Sequence, residues 1–181
     1  MQKFFHGLVM ALALLLGSFH AEAGTVPKSP DGFVDVSRFD EAERAFIFKS
    51  AENMLYDSIS DISNDFLEKK DGQRRLKELM ALCYTMLAVE VGHGGVEPLA
   101  RLYGFRVNNL VDNINGVTDM DTVEYIEGKI EAEKQKYFDS LMQRYADKKF
   151  TTASLQEMQD IARQIGKDIF ATAMEKMADD K

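Results

Sequence analysis

Apolar side chains recur at helical spacing along nearly all of residues 37–181, and this periodicity limits the possible fold more than any other feature. Breaks that contain glycine, proline or a capping side chain separate five such stretches. The sequence predicts helices that begin near Ser37 or Asp40, near Arg74, at Pro98, near Thr118 or Asp119, and near Ser154. Ser154 and Glu157 fit a capping box for the last of them. It contains no alternating strand pattern, no hairpin signal and no fixed-period repeat. The predicted fold is therefore all-α, a single-domain irregular helical bundle of about five helices.

The second predicted helix, at about residues 74–91, is apolar on all sides. A helix of this kind packs in the middle of a bundle. Its most apolar part, residues 79–89, is too short to cross a bilayer, which takes about 20 residues. Cys83 lies within it and is the one cysteine of the chain. An internal disulfide is therefore excluded, and the thiol is predicted to be buried and inert.

The N-terminus has the three regions of a secretory signal peptide. Lys3 supplies a positive charge, residues 8–16 are apolar and uncharged, and Ala21-Glu22-Ala23 offers small residues where a signal peptidase reads them. We therefore expect residues 1–23 to be cleaved on export. The protein is predicted to be periplasmic in a bacterium, or otherwise secreted, with no stable membrane anchor after cleavage.

The segment that follows the predicted cleavage site differs in composition from the helical part. Residues 24–36 contain two prolines and a Ser-Pro-Asp-Gly turn, which are typical of irregular chain. They are predicted to form an extended or mobile leader. The all-α domain is predicted to comprise residues 37–181.

The chain is acidic, with a formal net charge of −8 at pH 7. The predicted signal contains one lysine and one glutamate, so its removal leaves this charge unchanged. Nucleic acids and anionic lipid surfaces select patches of Lys and Arg, and both are therefore disfavoured as partners. The charge suits a soluble protein, or one that meets a basic protein partner and associates with it faster for that reason.

One histidine, His93, remains after signal removal, and it lies in the glycine-rich stretch VEVGHGGVEP at 89–98. Gly92 is predicted to be the left-handed C-terminal cap of the second helix, and Pro98 to open the third. Glu90 and His93 have the Glu-x-x-His spacing of helical di-iron sites. Such a site needs a second copy of the motif, which a single histidine excludes. The stretch is therefore predicted to be a helix–helix connection.

Other patterns that hold cofactors are missing from the sequence. It has no Cys-x-x-Cys-His for haem, no phosphate-binding glycine loop and no Gly-x-Ser-x-Gly elbow. One His and one Cys leave a structural zinc site short of ligands, and residues 112–121 lack the register of an EF-hand loop. Met174 and Met177 fit a helix core better than a copper site. No cofactor or metal is predicted, and a carboxylate-only calcium or magnesium site stays open.

Three functions are compatible with the sequence, and the first is preferred. It is a non-enzymatic exported interaction protein, such as an inhibitor or immunity protein, or an accessory factor of a secretion or envelope assembly. The second is a carboxylate-dependent cell-wall hydrolase. Its candidate catalytic acid is Glu90, because the flanking Val89 and Val91 could raise the carboxyl pKa. The third is a helical module that binds a small apolar ligand.

Two surfaces are predicted to contact a protein partner. One is the loop at 92–97, and the other is the stretch EAEKQK at 131–136 in the fourth helix. Ala132 is the one residue of this stretch that suits a hydrophobic core, so the stretch is expected to be solvated or to project from the bundle. The predicted contact residues are His93, Glu97, Glu131, Glu133, Lys134 and Lys136. A second copy of the chain could also bind through an apolar stripe on the first or fifth helix.

Overall fold

The structure is a computed structural model and describes residues 26–179. The helices are α1 (Glu41–Leu67), α2 (Gly72–His93), α3 (Glu97–Ile114), α4 (Met120–Arg144) and α5 (Thr152–Asp179). Strands are absent from these residues, in which an isolated bridge joins Lys28 and Val34. The prediction of an all-α, single-domain bundle is confirmed. The predicted signal peptide, residues 1–23, lies outside the described residues.

Helices α1 and α2 form the centre of the bundle. α1 packs against α2, α4 and α5, and α2 packs against α1, α3 and α5. Large, fully buried side chains come from all five helices and include Phe48, Leu55, Leu79, Leu87, Leu99, Tyr103, Leu141, Ile161 and Ile165. Burying each such aliphatic side chain contributes about 1.5–3 kcal/mol. Within residues 26–179 no helix combines the length and apolar composition that a membrane crossing requires.

Cys83 is buried in this core, as predicted. Burial raises the pKa of its thiol to about 12. The thiol therefore stays protonated at neutral pH, and the thiolate is the reactive form of cysteine.

Residues 26–36 lie against the helical body. Backbone hydrogen bonds close a turn across Lys28 and Val34, and Gly32 at its tip has a φ of 88°. Val34 and Val36 are buried and belong to the main hydrophobic core. Side chains two residues apart share one face of an extended chain, which accounts for the entry of both valines. The predicted leader is therefore, over these residues, a turn docked on the domain.

Capping side chains begin α1 and α4 at predicted positions. Asp40 accepts a hydrogen bond from the Glu43 N–H, and the Glu43 carboxylate accepts one from the Asp40 N–H, both at 3.0 Å. Asp119 accepts a hydrogen bond from the Thr122 N–H at 2.8 Å. These bonds satisfy N–H groups that have no partner within the helix.

The start of α5 differs from the prediction. The sequence favours Ser154 as the cap with Glu157 as its partner, but α5 begins at Thr152. The Thr151 hydroxyl accepts a hydrogen bond from the Ser154 N–H at 3.1 Å, and the Ser154 hydroxyl accepts one from the Thr151 N–H at 3.0 Å. Glu157 pairs instead with Arg38 at 2.6 Å. Threonine is among the residues that cap helices, and here its hydroxyl satisfies an N–H of the first turn.

Asp71 and Gly72 make the break between α1 and α2. Asp71 has a left-handed backbone with a φ of 63°. Gly72 passes so close to the end of α1 that an added Cβ would overlap the carbonyl oxygen of Phe66. The glycine is required for this close approach of two backbone segments, not for a positive φ.

Replacing Gly72 by Ala should therefore lower the free energy of unfolding by about 1–3 kcal/mol or more, the usual cost of overpacking. Gly128→Ala is the matched control, because an added Cβ inside α4 would meet no atom within 4 Å. Alanine is more favourable than glycine inside a helix, so the free energy of unfolding of this control should rise by about 0.5–1 kcal/mol. Urea denaturation of the two variants measures both effects. Equal stability of Gly72→Ala and the wild type would contradict the close α1–α2 approach.

Candidate functional site

Three charged side chains from three helices meet in the interior. Glu52 of α1, Arg106 of α3 and Lys134 of α4 are 4%, 6% and 4% exposed. Arg106 Nη1 donates to Glu52 Oε1 at 2.6 Å, and Lys134 Nζ donates to both carboxylate oxygens of Glu52 at 2.8 and 3.0 Å. Charges buried this deeply require partners. The three side chains therefore depend on one another.

Two more carboxylates extend this group toward solvent. Arg106 Nε donates to Glu127 Oε2 at 2.7 Å, and Arg106 Nη2 donates to Glu131. Lys134 Nζ also donates to Glu131, at 2.7 Å. Partial burial alone would raise the pKa of Glu131, but the hydrogen bonds from Lys134 and Arg106 lower it. We call these five residues, Glu52, Arg106, Glu127, Glu131 and Lys134, the ionic network.

Two buried tyrosines enclose the network. The Tyr103 hydroxyl donates to Glu52 Oε2 at 3.0 Å, and the Arg106 guanidinium lies 4.8 Å from the centre of the Tyr84 ring. Burial raises the pKa of Tyr84 to about 12, and burial with the adjacent Glu52 charge raises the pKa of Tyr103. Both hydroxyls therefore stay protonated at neutral pH, and that of Tyr103 remains a hydrogen-bond donor.

A cleft of about 450 Å³ opens over the network between α1, α2, α3 and α4. We call it the α1–α4 cleft. The five network residues line it, and its apolar lining includes Met80, Tyr84, Leu110 and Val123. Tyr56 and Met120 also line it, and their side chains are largely exposed, at 63% and 49%. The cleft thus combines charged groups held in place by one another with an apolar rim, and its volume lies in the range of ligand-binding sites.

Two lysines of the α1–α4 cleft pair with no carboxylate of residues 26–179. Lys49 is half-buried, and its Nζ lies 5.3 Å from the centre of the Phe138 ring. Lys77 Nζ donates to the neutral Asn113 side chain at 2.5 Å. Burial lowers the pKa of Lys49, and the positive charge of Lys134 lowers it further. Four cationic side chains and three carboxylates line the cleft, so it is locally positive in a chain of net charge −8.

Comparison of the chain with protein-family models, curated proteins and solved structures found no match. Within residues 26–179 no three His, Cys, Asp or Glu side chains lie close enough to share a metal ion. The carboxylates of the α1–α4 cleft are held by Arg106 and Lys134.

The structure corrects the prediction for the stretch 131–136. Lys134 is buried and Ala132 is exposed, the reverse of what the sequence favours. Lys134 lies one helical turn from Ile130 and from Phe138, both buried, so it shares their face of α4. A partner on the outer surface of α4 would not reach Lys134.

The other predicted contact residues of α4 remain at the surface. The side chain of Glu131 is 51% exposed although it belongs to the ionic network. Glu133 and Lys136 are exposed and pair with each other at 2.5 Å. An exposed pair of this kind contributes little to stability, and its contact with a partner stays a prediction.

The stretch at 92–97 contains a helix–helix connection, as predicted, and the connection itself comprises residues 94–96. His93, the last residue of α2, and Glu97, the first residue of α3, are exposed, and the His93 ring stacks on Phe33 with ring centres 3.5 Å apart. The predicted cap position is wrong, because α2 continues through Gly92 to His93 and the left-handed residue is Gly95, with a φ of 71°. A glycine can continue a helix as well as end it.

Glu90 lies in a second cleft, of about 310 Å³, lined by the N-terminal turn, α2 and α5. Its Oε1 accepts a hydrogen bond from the Val34 N–H at 2.7 Å, which fastens the turn to α2. Burial raises the pKa of Glu90, the direction that the sequence predicts. Asp168 lines the same cleft and pairs with Lys28 at 3.1 Å. A catalytic role for Glu90 stays a prediction.

Replacing Glu90 by Gln should stabilise the protein more at pH 7 than at pH 4. Folding raises the pKa of this carboxyl, so the folded state binds more protons than the unfolded state. The contribution of Glu90 to stability therefore falls as the pH rises above the ordinary glutamate pKa of about 4.3. Glutamine retains an oxygen for the Val34 N–H but has no charge. Glu90→Ala removes the acceptor and should cost about 1–3 kcal/mol at either pH. Urea denaturation at both pH values tests this. If the free energies of unfolding of Glu90→Gln and the wild type differed by the same amount at pH 4 and pH 7, the raised pKa would be contradicted.

Proposed function

We propose that this chain is an exported, non-enzymatic interaction protein that binds a segment of a partner protein in the α1–α4 cleft. The observation that carries the proposal is that the α1–α4 cleft combines two kinds of surface. Its charged side chains, those of the ionic network, hold one another in place, and its apolar rim is exposed. Aromatic residues and methionine are enriched at protein interfaces, and here Tyr56 and Met120 are exposed beside the cleft.

The ionic network supports recognition rather than chemistry. Each of its buried charges contacts an opposite charge, with Glu52 held by both Arg106 and Lys134. Groups engaged in this way are poor proton donors and acceptors for a substrate, but they hold a fixed shape and charge pattern. A surface that is ordered before binding loses less entropy when the partner arrives.

The lysines of the cleft favour a partner with polar groups over a purely apolar ligand. An apolar ligand that filled the α1–α4 cleft would remove water from Lys49 and Lys77 and give them no acceptor in return, which is costly. A peptide segment offers carbonyl oxygens and polar side chains together with apolar groups. The sequence predicts a basic partner from the net charge of the whole chain, whereas the local charge of this cleft favours an anionic group.

Tyr56→Ser should abolish partner capture, and Tyr125→Ser should leave it intact. The two tyrosines are 63% and 65% exposed, and Tyr56 lines the α1–α4 cleft whereas Tyr125 does not. A tyrosine at the centre of an interface contributes about 2 kcal/mol or more, equivalent to a loss of affinity of more than tenfold. Surface substitutions of this kind change stability by about 0.5 kcal/mol or less.

The measurement is affinity capture with the C-terminally tagged full-length chain, expressed in its own organism and purified from the exported fraction. Mass spectrometry then compares what the wild type, Tyr56→Ser and Tyr125→Ser retain. A protein held by the wild type and by Tyr125→Ser, but lost from Tyr56→Ser, is the expected result. Equal capture by both variants, or capture of nothing above a tag-only control, would overturn the proposal.

A further inference from the structure

We infer that the α1–α4 cleft binds a carboxylate at Lys49, on a molecule whose remaining body is apolar. Resting on the proposed function, this inference identifies the anchor of the partner segment as an Asp or Glu side chain with apolar neighbours. The inference is specific to one end of the cleft, where Lys49 of α1 faces the ionic network.

The carboxylates near Lys49 are already bound by other cations. Both oxygens of Glu52 are bound by Lys134, and one of them also by Arg106. Glu131 is bound by the same two cations. The nearby carboxylates therefore neutralise Lys134 and Arg106, and no carboxylate of residues 26–179 pairs with Lys49.

The surroundings of Lys49 disfavour its charged form. Burial and the nearby charges of Lys134 and Arg106 lower the pKa of Lys49, and the charges of Glu52 and Glu131 offset this lowering only in part. An anion in hydrogen-bonding distance reverses this effect, because it offsets the like charges and replaces the lost water. A charge-assisted hydrogen bond between an ammonium and an oxyanion is about twice as strong as a neutral one.

The charges around Lys49 favour a carboxylate over other anions. Glu52, Glu127 and Glu131 line the same cleft, so a phosphate dianion would be repelled more strongly than a single negative charge. Phosphate sites in proteins usually employ a free arginine fork or a helix N-terminus. All three guanidinium nitrogens of Arg106 already donate to carboxylates. A monoanion opposite Lys49 is the better match.

The lining of the cleft also indicates what the rest of the ligand is. The rest of the α1–α4 cleft is largely apolar, with Met80, Leu110 and Val123 in its lining and Tyr56 and Met120 at its rim. Such surface favours alkyl or aromatic groups next to the carboxylate. Octanoate, which joins one carboxylate to a short alkyl chain, is therefore a suitable probe.

The test is a titration of the ¹⁵N-labelled mature protein, residues 24–181, with octanoate below its micelle concentration, followed by amide NMR shifts. Octanoate should give saturable shifts in residues that line the α1–α4 cleft, and 1-octanol, which has the same chain without charge, should bind at least about tenfold more weakly. Lys49→Met should weaken octanoate binding by about tenfold or more, and Lys49→Arg should restore most of it. Lys129→Met is the matched control, because Lys129 is exposed on α4 outside the cleft.

Lys49→Met is expected to fold, because it removes an uncompensated half-buried charge, and its amide spectrum checks this directly. Equal binding of octanoate and 1-octanol, shifts confined to another surface, or unchanged affinity in a folded Lys49→Met would each overturn the inference. If Lys49→Met does not fold, the Lys49→Arg variant and the 1-octanol comparison decide it.

Adding octanoate to the affinity column separates this inference from the proposed function. Release of the captured partner supports both. Octanoate binding at Lys49 without any captured partner assigns the site to a free monocarboxylate and overturns the proposed partner. Capture that depends on Tyr56, in a protein that does not bind octanoate, overturns the carboxylate anchor and leaves the interaction function standing.

Discussion

Glu52→Ala should lower the free energy of unfolding by about 3–5 kcal/mol, the usual cost of removing one member of a buried ion pair. The substitution takes away the carboxylate on which Arg106 and Lys134 converge and leaves the two buried cations to share Glu127 and Glu131. It also removes the acceptor of the fully buried Tyr103 hydroxyl. The orphaned buried donor accounts for about 1–3 kcal/mol of this loss.

Urea denaturation followed by circular dichroism measures this loss. Glu133→Ala is the matched control, because Glu133 is exposed and pairs with an exposed lysine, and it should change stability by less than about 1 kcal/mol. Glu52→Gln retains an acceptor for Tyr103 and should fall between the two. A Glu52→Ala variant as stable as the control would mean that water reaches Arg106 and Lys134, and that the ionic network is not buried.

The helices could be predicted from the sequence because their periodicity is a local property. Asp40 and Asp119 begin helices as predicted because each accepts a hydrogen bond from the backbone N–H three residues later. The misplaced boundaries are those at which two residues compete for one role. Thr151 caps α5 in place of Ser154, and Gly95 takes the left-handed conformation in place of Gly92. Local sequence does not separate such alternatives, since the packing of the whole helix decides between them.

The ionic network could not be assembled from the sequence, because it depends on which faces of α1, α3 and α4 meet. Its three buried members, Glu52, Arg106 and Lys134, nevertheless share a signal, since each is a charged residue at a core position of its helix. Arg106 lies three residues after buried Tyr103 and four before buried Leu110, and Lys134 lies four residues from buried Ile130 and Phe138. Charged residues at such spacing in several helices indicate a buried polar cluster. The acid-rich stretch around Lys134 obscures this pattern in α4.

Converting the three buried charges of the network to apolar residues should, in contrast to Glu52→Ala, keep or raise stability. The variant joins Glu52→Met, Tyr103→Phe, Arg106→Leu and Lys134→Met, which removes every buried charge of the network together with the hydroxyl that depends on it. Glu127 and Glu131 lose their cationic partners, but their side chains are 29% and 51% exposed and can be hydrated. Replacing a buried ionic group by apolar residues of similar volume typically changes stability by about 0 to +4 kcal/mol.

The same variant should lose its partner, because it removes the buried charges beneath the α1–α4 cleft and keeps Tyr56 at the rim. Urea denaturation and affinity capture on one preparation give the two results together. A variant that is stable but captures nothing would assign the buried charges to recognition, since the fold can do without them. A variant as unstable as Glu52→Ala would assign them to stability, and undiminished capture by a stable variant would move the partner away from this cleft. Glu52→Ala and the apolar variant together thus separate the stability lost by breaking the network from the role of the network in recognition.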